Sequence, residues 1–509
     1  MTQQQAAISA PNALAAEAGA TALAAGGGAV DAAIAAMITA TVTEPGIVSP
    51  FGGAFLSVWP AEGEPVVVDG NTEMPGRGAD RARWGQGLIR IDNDYGGGLT
   101  TYAGPGSVAT PGMFAGMQEA HRRYGTAPWA DLFEVAIRAA GEGFHFGRTA
   151  QSYSVIVAES IFSWDPATRA VYTDDGAVRP VGALIRSPAL AETLERLAAV
   201  GAADLYTGEL AGRIVADMEE RGGLLTAADL AAYRPVVRTP LRTRLGGWDL
   251  ACNPPPAIGG AVLAAMLRLV GDDPARVTAT RTAEVMRAVL DLRLQHVDVA
   301  ADLEAAGHEL LQTIATTGTT GLPTSASTAH VSAVDGTGTS CAVTASAGYG
   351  SGMDVGGTGL IGNNALGELE LNRQGLHALA PGSRMASNMA PTTGRADDGG
   401  VLAIGSPGAD RITTALLQVL LHFCLHDEGL QEAVDRPRMH VRHLDDGRVR
   451  IDYERSEHLA RALAAQSLPL HEHEPVSMYF GGVGAALRSG DGTLSASSDP
   501  RRALATVVL

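Results

Sequence analysis

Residues 313–335, TIATTGTTGLPTSASTAHVSAVD, change character part-way along. Up to Thr328 the run is mainly threonine, serine, alanine and glycine, with a single proline and no charge. So little apolar surface cannot offset the entropy of ordering the chain, and residues 313–327 read as an exposed, mobile connector. The period then becomes two: His330–Val334 and Ser340–Ser346 alternate in strand fashion around Asp335-Gly336-Thr337-Gly338, a hairpin signal. Thr328 thus stands where a flexible segment enters the first strand of a sheet. A threonine hydroxyl is a weak nucleophile until a base takes its proton, and the α-amine exposed by cutting the preceding bond is such a base. Most threonines at a strand entrance are only turn or cap residues, and the local pattern by itself favours that reading.

The remaining composition narrows the chemistry. With 509 residues and 46% hydrophobic content, the chain can hold a large core. It contains no lysine, so all 37 basic residues are arginine. Schiff-base chemistry, Ser-Lys dyads and the phosphate-binding lysine of a P-loop are excluded, since each needs a side-chain amine. A formal charge of -18 argues against nucleic acid or an anionic membrane as partner. Cys252, Cys341 and Cys424 are far apart and odd in number, giving no disulfide framework and no metal or redox pair; they read as core thiols. No basic residue precedes Arg77, so the N-terminus lacks the charged region of a secretory signal and a cytoplasmic protein is expected.

Along the chain, Asn12 can cap a first helix that Gly26-Gly27-Gly28 ends, and Ala29–Thr41 reads as a second, closed by Pro45-Gly46. Gly53–Trp59 and Pro65–Val68 look like strands, and from Thr110 to about Ala306 the pattern is largely helical apart from a break at Asn253-Pro254-Pro255-Pro256. Val401–Ile404 reads as a strand, Pro407-Gly408 as a turn and Asp410–Leu425 as an apolar helix. His471-Glu472-His473-Glu474 is read as a solvated strand face, with no third metal ligand at recognisable spacing. Gly348-Tyr349-Gly350-Ser351-Gly352 lacks the strand and helix of a nucleotide loop and reads as a substrate-side loop. Neither a metal nor a cofactor is expected.

Several segments, taken in order, resemble the gamma-glutamyltranspeptidases. They are Ala29-Val30-Asp31-Ala32-Ala33, Glu44-Pro45, Gly52-Gly53-Ala54-Phe55, and Pro254-Pro255-Pro256 with Gly259-Gly260. Thr328-Ala329-His330-Val331-Ser332-Ala333-Val334-Asp335 is similar to the start of the family's small subunit. Gly362-Asn363-Asn364, Arg384–Thr392, Gly405-Ser406-Pro407-Gly408, Pro437-Arg438 with His440, and Ser498-Asp499-Pro500-Arg501 continue the series. The resemblance implies an α+β fold, a four-layer αββα sandwich of the N-terminal-nucleophile hydrolases, formed jointly by two subunits cut from one precursor. The cut falls between Ser327 and Thr328, leaving 1–327 as the large subunit and 328–509 as the small catalytic one. It further implies Thr328 as nucleophile, Ser346 at the position that orients it, and the backbone amides of Gly408 and Ala409 as the oxyanion hole. Those amides lie at the mouth of a helix, where unpaired N–H groups favour an anion. Alanine in place of the family's second glycine matters if that position needs a positive φ. His330 is expected to be a structural partner in the sheet.

The departures concern the substrate. Asn71 falls where the family's arginine clamps the α-carboxylate of a glutamyl group, Ala365 and Glu368 replace the ligands of its α-amine, and Ser387-Asn388 replaces a serine pair. Losing a bidentate arginine and an amine ligand costs glutamyl recognition several kcal/mol, at about 1.5 to 3 per charged hydrogen bond. The expected protein is therefore a self-processing hydrolase of a small molecule with altered specificity. It would cut an amide or an activated carbon–carbon bond of a biosynthetic intermediate, as relatives in bacterial antibiotic pathways are thought to do. A true glutathione hydrolase or transpeptidase, and a catalytically silent scaffold, are the alternatives.

Overall fold

The computed structural model describes residues 5–93, 99–316, 328–444 and 447–509. Two antiparallel sheets pack face to face at its centre. The first has seven strands, in the order Val236–Arg238, Val66–Gly70, Gly53–Trp59, Ser340–Ser346, Ala329–Asp335, Ala6–Ala10 and Ala505–Val508. The second has six, in the order Leu241–Leu245, Trp248–Cys252, Thr392–Ala396, Val401–Gly405, Gly484–Arg488 and Leu494–Ser497. Helices Ala13–Ala24, Ala29–Thr43 and Met113–Tyr124 cover the outer face of the first sheet. Helices Ile258–Val270, Ala279–Leu292, Leu303–Thr316 and Arg411–Leu425 cover that of the second. This is the expected α+β, four-layer αββα sandwich.

The strand Ala329–Asp335 shows why the layers form. All its residues are buried. Ala329, Val331 and Ala333 join the helix-side core with Ile34 and Ile38. Their neighbours face the other sheet, where Val334 meets Ala342, Val401 and Ala403. Small and hydroxylated side chains fill much of this inner layer: Ser57 and Thr393 are in hydrogen-bond contact at 3.1 Å, and Ser9 Oγ donates to the Ser497 carbonyl at 2.7 Å. His330 lies here too, its Nδ1 2.8 Å from Thr344 Oγ1 and its Nε2 2.8 Å from Ser332 Oγ. Because the Ser332 hydroxyl donates to the Gly484 carbonyl at 3.2 Å, Nε2 must carry the proton and Nδ1 must accept from Thr344. Burial lowers the ring's pKa to about 3, so it is neutral at physiological pH. The structural role expected for His330 is the one its surroundings describe.

Beyond the strand, Asp335 Oδ2 accepts from the Ala29 amide at 3.0 Å, and Asp31 Oδ2 accepts from Gly28 at 2.9 Å. Two sequence motifs 306 residues apart thereby converge on the start of one helix.

Two expectations need correction, and two features went unread in the sequence. Ala6–Ala10 is a strand, inserted between Ala329–Asp335 and Ala505–Val508; its alanines are buried on both faces, so no alternation marks it. The stretch read as largely helical contains Val236–Arg238, Leu241–Leu245 and Trp248–Cys252, which edge the two sheets. The connector begins later than residue 313, because Leu303–Thr316 is a helix whose Leu310, Leu311 and Ile314 pack on the second core; residues 317–327 lie outside the described residues. Finally, a separate sheet of Met439–His443, Val449–Glu454 and Leu470–His473 sets Asp452 opposite His471, a neighbour that sequence spacing did not reveal.

Gly405 packs so closely on the His330 ring that an added methyl would overlap it. Gly405→Ala is expected to lower the unfolding free energy by about 3 kcal/mol, the upper range for overpacking a buried site. The urea midpoint measures this, and an unshifted midpoint would show that this contact does not set the spacing between the sheets.

Candidate active site

Strand register puts the expected site residues in a row. Ala329 pairs with Ala345, Ala345 with Ala54, and Ala54 with Gly70. One residue further toward the same edge of the sheet come Thr328, then Ser346 paired with Gly53, then Asn71. Gly52 and Gly53 are glycines for a steric reason: a side chain on the first would strike the Ser346 carbonyl, and one on the second would strike Asn71. Thr328 is 4% exposed. Ser346 Oγ accepts from the Gly348 amide at 3.1 Å. Ser327 falls outside the described residues.

The second sheet supplies the facing lip. Val401–Gly405 ends against His330 and the chain turns through Ser406-Pro407-Gly408-Ala409 into the helix Arg411–Leu425. Gly408 has φ 125° and Ala409 φ 65°. Ala409 thus accepts a left-handed conformation that costs a non-glycine residue about 1 kcal/mol or more, and it is strained where the sequence replaced a glycine. A side chain on Gly408 would meet the backbone of Gly481. Among the described residues, neither amide N–H donates to a protein acceptor. Two unengaged donors at a helix start form a site for developing negative charge. Asp410, next in the chain, is buried, which opposes its charge; Arg411 and His440 outweigh this and hold its carboxyl well below the usual range.

Thr328 and Pro407 line one small cleft with Glu44, Arg502, Pro11 and Thr149. Sequence reasoning gave no role to Glu44, although Glu44-Pro45 was among the motifs, nor to Arg502, which follows the Ser498–Arg501 motif. Glu44 is 4% exposed and accepts a hydrogen bond from Asn12 Nδ2 at 2.6 Å. Burial pushes its pKa up to about 7, against the opposing pull of Asn12 and Arg502. It is a carboxyl poised near neutrality beside the threonine.

The specificity positions surround the same edge. Asn71 Nδ2 donates to the Met385 carbonyl at 2.9 Å, bringing the 385–389 segment alongside, where Ser387 Oγ accepts from the Met389 amide at 3.2 Å. Gly259 allows this approach, since a side chain there would strike the Asn388 carbonyl. The side-chain nitrogen and oxygen of Asn388 are both buried with no hydrogen-bond partner among the described residues. Glu368 lies against Gly348, just past Ser346, and burial together with Glu370 raises its pKa well above the carboxylate range. Arginines do reach this region, but they are engaged. Arg384 Nη1 donates to Glu73 at 2.6 Å and its Nη2 to the Arg234 carbonyl at 2.7 Å, while Arg238 Nε donates to Asp69 at 2.8 Å.

A family model described as gamma-glutamyltranspeptidase matches residues 15–509. The Acylase ACY 1 proenzyme of a Pseudomonas species is 31% identical over 95% of this chain and 90% of its own length. The chain belongs to the gamma-glutamyltranspeptidase family. The glutathione hydrolase proenzyme of Escherichia coli, a further relative, is 26% identical over 98% of this chain and 90% of its own. The solved cephalosporin acylase of Bacillus halodurans shares the fold, with a TM-score of 0.81 and 24% identity over 99% of this chain and 96% of its own. As a gamma-glutamyltranspeptidase-family protein, the chain is an N-terminal-nucleophile hydrolase. Among the described residues no helix is long and apolar enough to cross a membrane.

The raised Glu44 pKa has a measurable sign. Its carboxyl ionises near pH 4.5 when unfolded but only near pH 7 in the fold. Burying it therefore costs nothing below pH 4.5, costs progressively more up to pH 7, and levels off above that at about 3 kcal/mol. Urea unfolding of Thr328→Ala as a function of pH should show this loss, and adding Glu44→Gln should make the decline between pH 4.5 and pH 7 shallower. A decline of equal steepness in both proteins would place the titration elsewhere.

Proposed function

We propose that the chain is a self-processing acylase that cuts its own Ser327–Thr328 bond and then hydrolyses an acyl bond, an amide foremost, of a small molecule other than a γ-glutamyl peptide. The observation that carries this reading is the convergence of Thr328, Glu44 and Pro407 on one cleft, with Pro407 leading into the Gly408 and Ala409 amides that are unengaged among the described residues. Before the cut, the Thr328 nitrogen is an amide and cannot act as a base. Glu44 takes that part: its carboxylate accepts the Thr328 hydroxyl proton as Oγ1 attacks the Ser327 carbonyl carbon. The Thr328 nitrogen leaves protonated, and water hydrolyses the resulting ester. Residues 1–327 and 328–509 then form the large and small subunits.

Afterwards the free α-amine of Thr328 serves as base for its own hydroxyl. Oγ1 attacks the substrate carbonyl, the Gly408 and Ala409 amides hold the oxyanion, Ser346 positions the nucleophile, and water resolves the acyl-enzyme. Asn71, Ser387, Asn388 and Glu368 line the binding side. This reading of specificity rests on two features: an Asn388 amide with no protein partner, and arginines already paired with Asp69 and Glu73. A neutral, hydrogen-bonding acyl group suits such a wall better than a free glutamyl carboxylate. The relatives named acylases favour the same choice over glutathione hydrolysis.

Denaturing electrophoresis should resolve two chains, the smaller beginning Thr-Ala-His-Val, whereas Thr328→Ala should remain a single 52.3 kDa chain. Glu44→Gln should slow the appearance of the fragments about 100-fold, the lower range for general-base catalysis. Cleavage of Thr328→Ala at the same bond would refute self-processing by this residue. For substrate, matched assays of an acyl-amide panel and of glutathione should favour the acyl amides; efficient release of glutamate from glutathione would reverse the specificity assignment.

A further inference from the structure

The edge of the small sheet holds a second group of polar side chains, outside the hydrolytic cleft. Leu470–His473 runs parallel to Val449–Glu454, with Asp452 opposite His471 and Glu454 opposite His473. One ligand atom from each of Asp452, His471 and His473 can be chosen so that all lie within 4.8 Å of one another. His473 Nε2 is buried with no hydrogen-bond partner among the described residues and stands 3.6 Å from Asp452 Oδ1. That is close to the edge of a tetrahedral zinc site, about 3.4 Å for bonds near 2.1 Å. The rings of His471 and His473 meet at 86° with centroids 4.8 Å apart, and His471 is exposed and able to swing inward.

The carboxylate is held in place: Asp452 Oδ2 accepts from Tyr479 Oη at 2.6 Å. Nearby groups that could otherwise compete as ligands are engaged. His440 Nδ1 lies 3.0 Å from Thr414 Oγ1 and its Nε2 3.3 Å from Asp410, while Glu454 pairs with Arg501. We propose that Asp452, His471 and His473 form a binding site for a divalent transition metal, with Zn²⁺ the ion whose ligand preference fits two imidazoles and one carboxylate. Water would complete the tetrahedron. Arg450, which donates to Oδ1 at 2.7 Å, is the displaced competitor; its side chain is partly exposed and can turn into solvent.

The site also touches the catalytic lip. Tyr479 stacks on His473 at 4.5 Å, its carbonyl accepts from Arg411 Nε at 3.0 Å, and Arg411 pairs with Asp410 beside the Gly408–Ala409 amides. An ion fixing His473 and Asp452 would therefore clamp the ring that supports the start of the oxyanion helix.

Untagged protein, stripped with a chelator and titrated with ZnCl₂ by calorimetry, is expected to bind one ion per chain. The His471→Ala/His473→Ala pair should weaken binding at least 100-fold, and Arg450→Ala, by removing the competing cation, should strengthen it about tenfold. Co²⁺ in place of zinc should give the intense visible bands of a tetrahedral centre, lost in the double variant. Both altered histidines lie on an edge strand, and circular dichroism checks that the fold persists. Absence of stoichiometric Zn²⁺ binding, equal affinity in the double variant, or no effect of Arg450→Ala would each overturn the site. None of these readouts depends on turnover or self-cleavage, so they stand or fall apart from the hydrolase reading.

Discussion

The imidazole of His330 lies between two sheets and touches the backbone of Gly405 where no side chain would fit. That contact sets the separation of the sheets at the end where the chemistry is assembled. Thr328 is held two residues from the ring on one side, and the Ser406–Ala409 turn leaves directly from Gly405 on the other. A bulkier residue at Gly405, or a charged ring at 330, would part the lips of the cleft. Serine, threonine and alanine recur through the rest of this layer because larger side chains would separate the two edges.

Much of this was legible because the decisive signals were local. The switch from an uncharged connector to strict alternation placed Thr328 at the head of a strand, and proline and glycine before an apolar helix marked the Ser406–Ala409 turn; the roles proposed for them came from the family resemblance. The glycine pair at 52–53 and the pair at 259–260 were visible as motifs, while their purpose, allowing one backbone to pass another, required the register. What escaped was non-local or lacked contrast. Ala6–Ala10 carries no alternation, since both faces are buried in small residues. Glu44 has no signal of its own: a carboxyl near pH 7 is a property of the space around it, made by burial against the opposing pull of Asn12 and Arg502. Asp452 meets its histidines only because strands 19 residues apart pair in parallel.

A chain without lysine must build every fixed side-chain cation from arginine, whose charge is not removed by burial in the way a lysine's is. At the strand end beside Asn71, Asp69 and Glu73 neutralise Arg384 and Arg238 from within the protein. A carboxylate-bearing substrate would have to compete with these intramolecular partners, which are already in place. The same acids that stabilise the buried arginines thus blunt the positive field that an anionic ligand would need. On the proposed reading, specificity would follow from which charges have been satisfied internally as much as from which residues have been replaced.

The strand order of the first sheet has a consequence for the life of the processed enzyme. Segments from before and after residue 327 alternate across it: the N-terminal Ala6–Ala10 lies between two strands of the C-terminal part, and that part in turn adjoins Gly53–Trp59. Were the backbone cut after residue 327, neither piece could leave without breaking main-chain ladders through the middle of the core. The two polypeptides would stay together by topology as well as affinity. The covalent connection that guided their first folding would be gone, so an unfolded processed molecule would have to find its partner by diffusion. Cleavage would turn an equilibrium fold into one whose lifetime is governed by the barrier to leaving it.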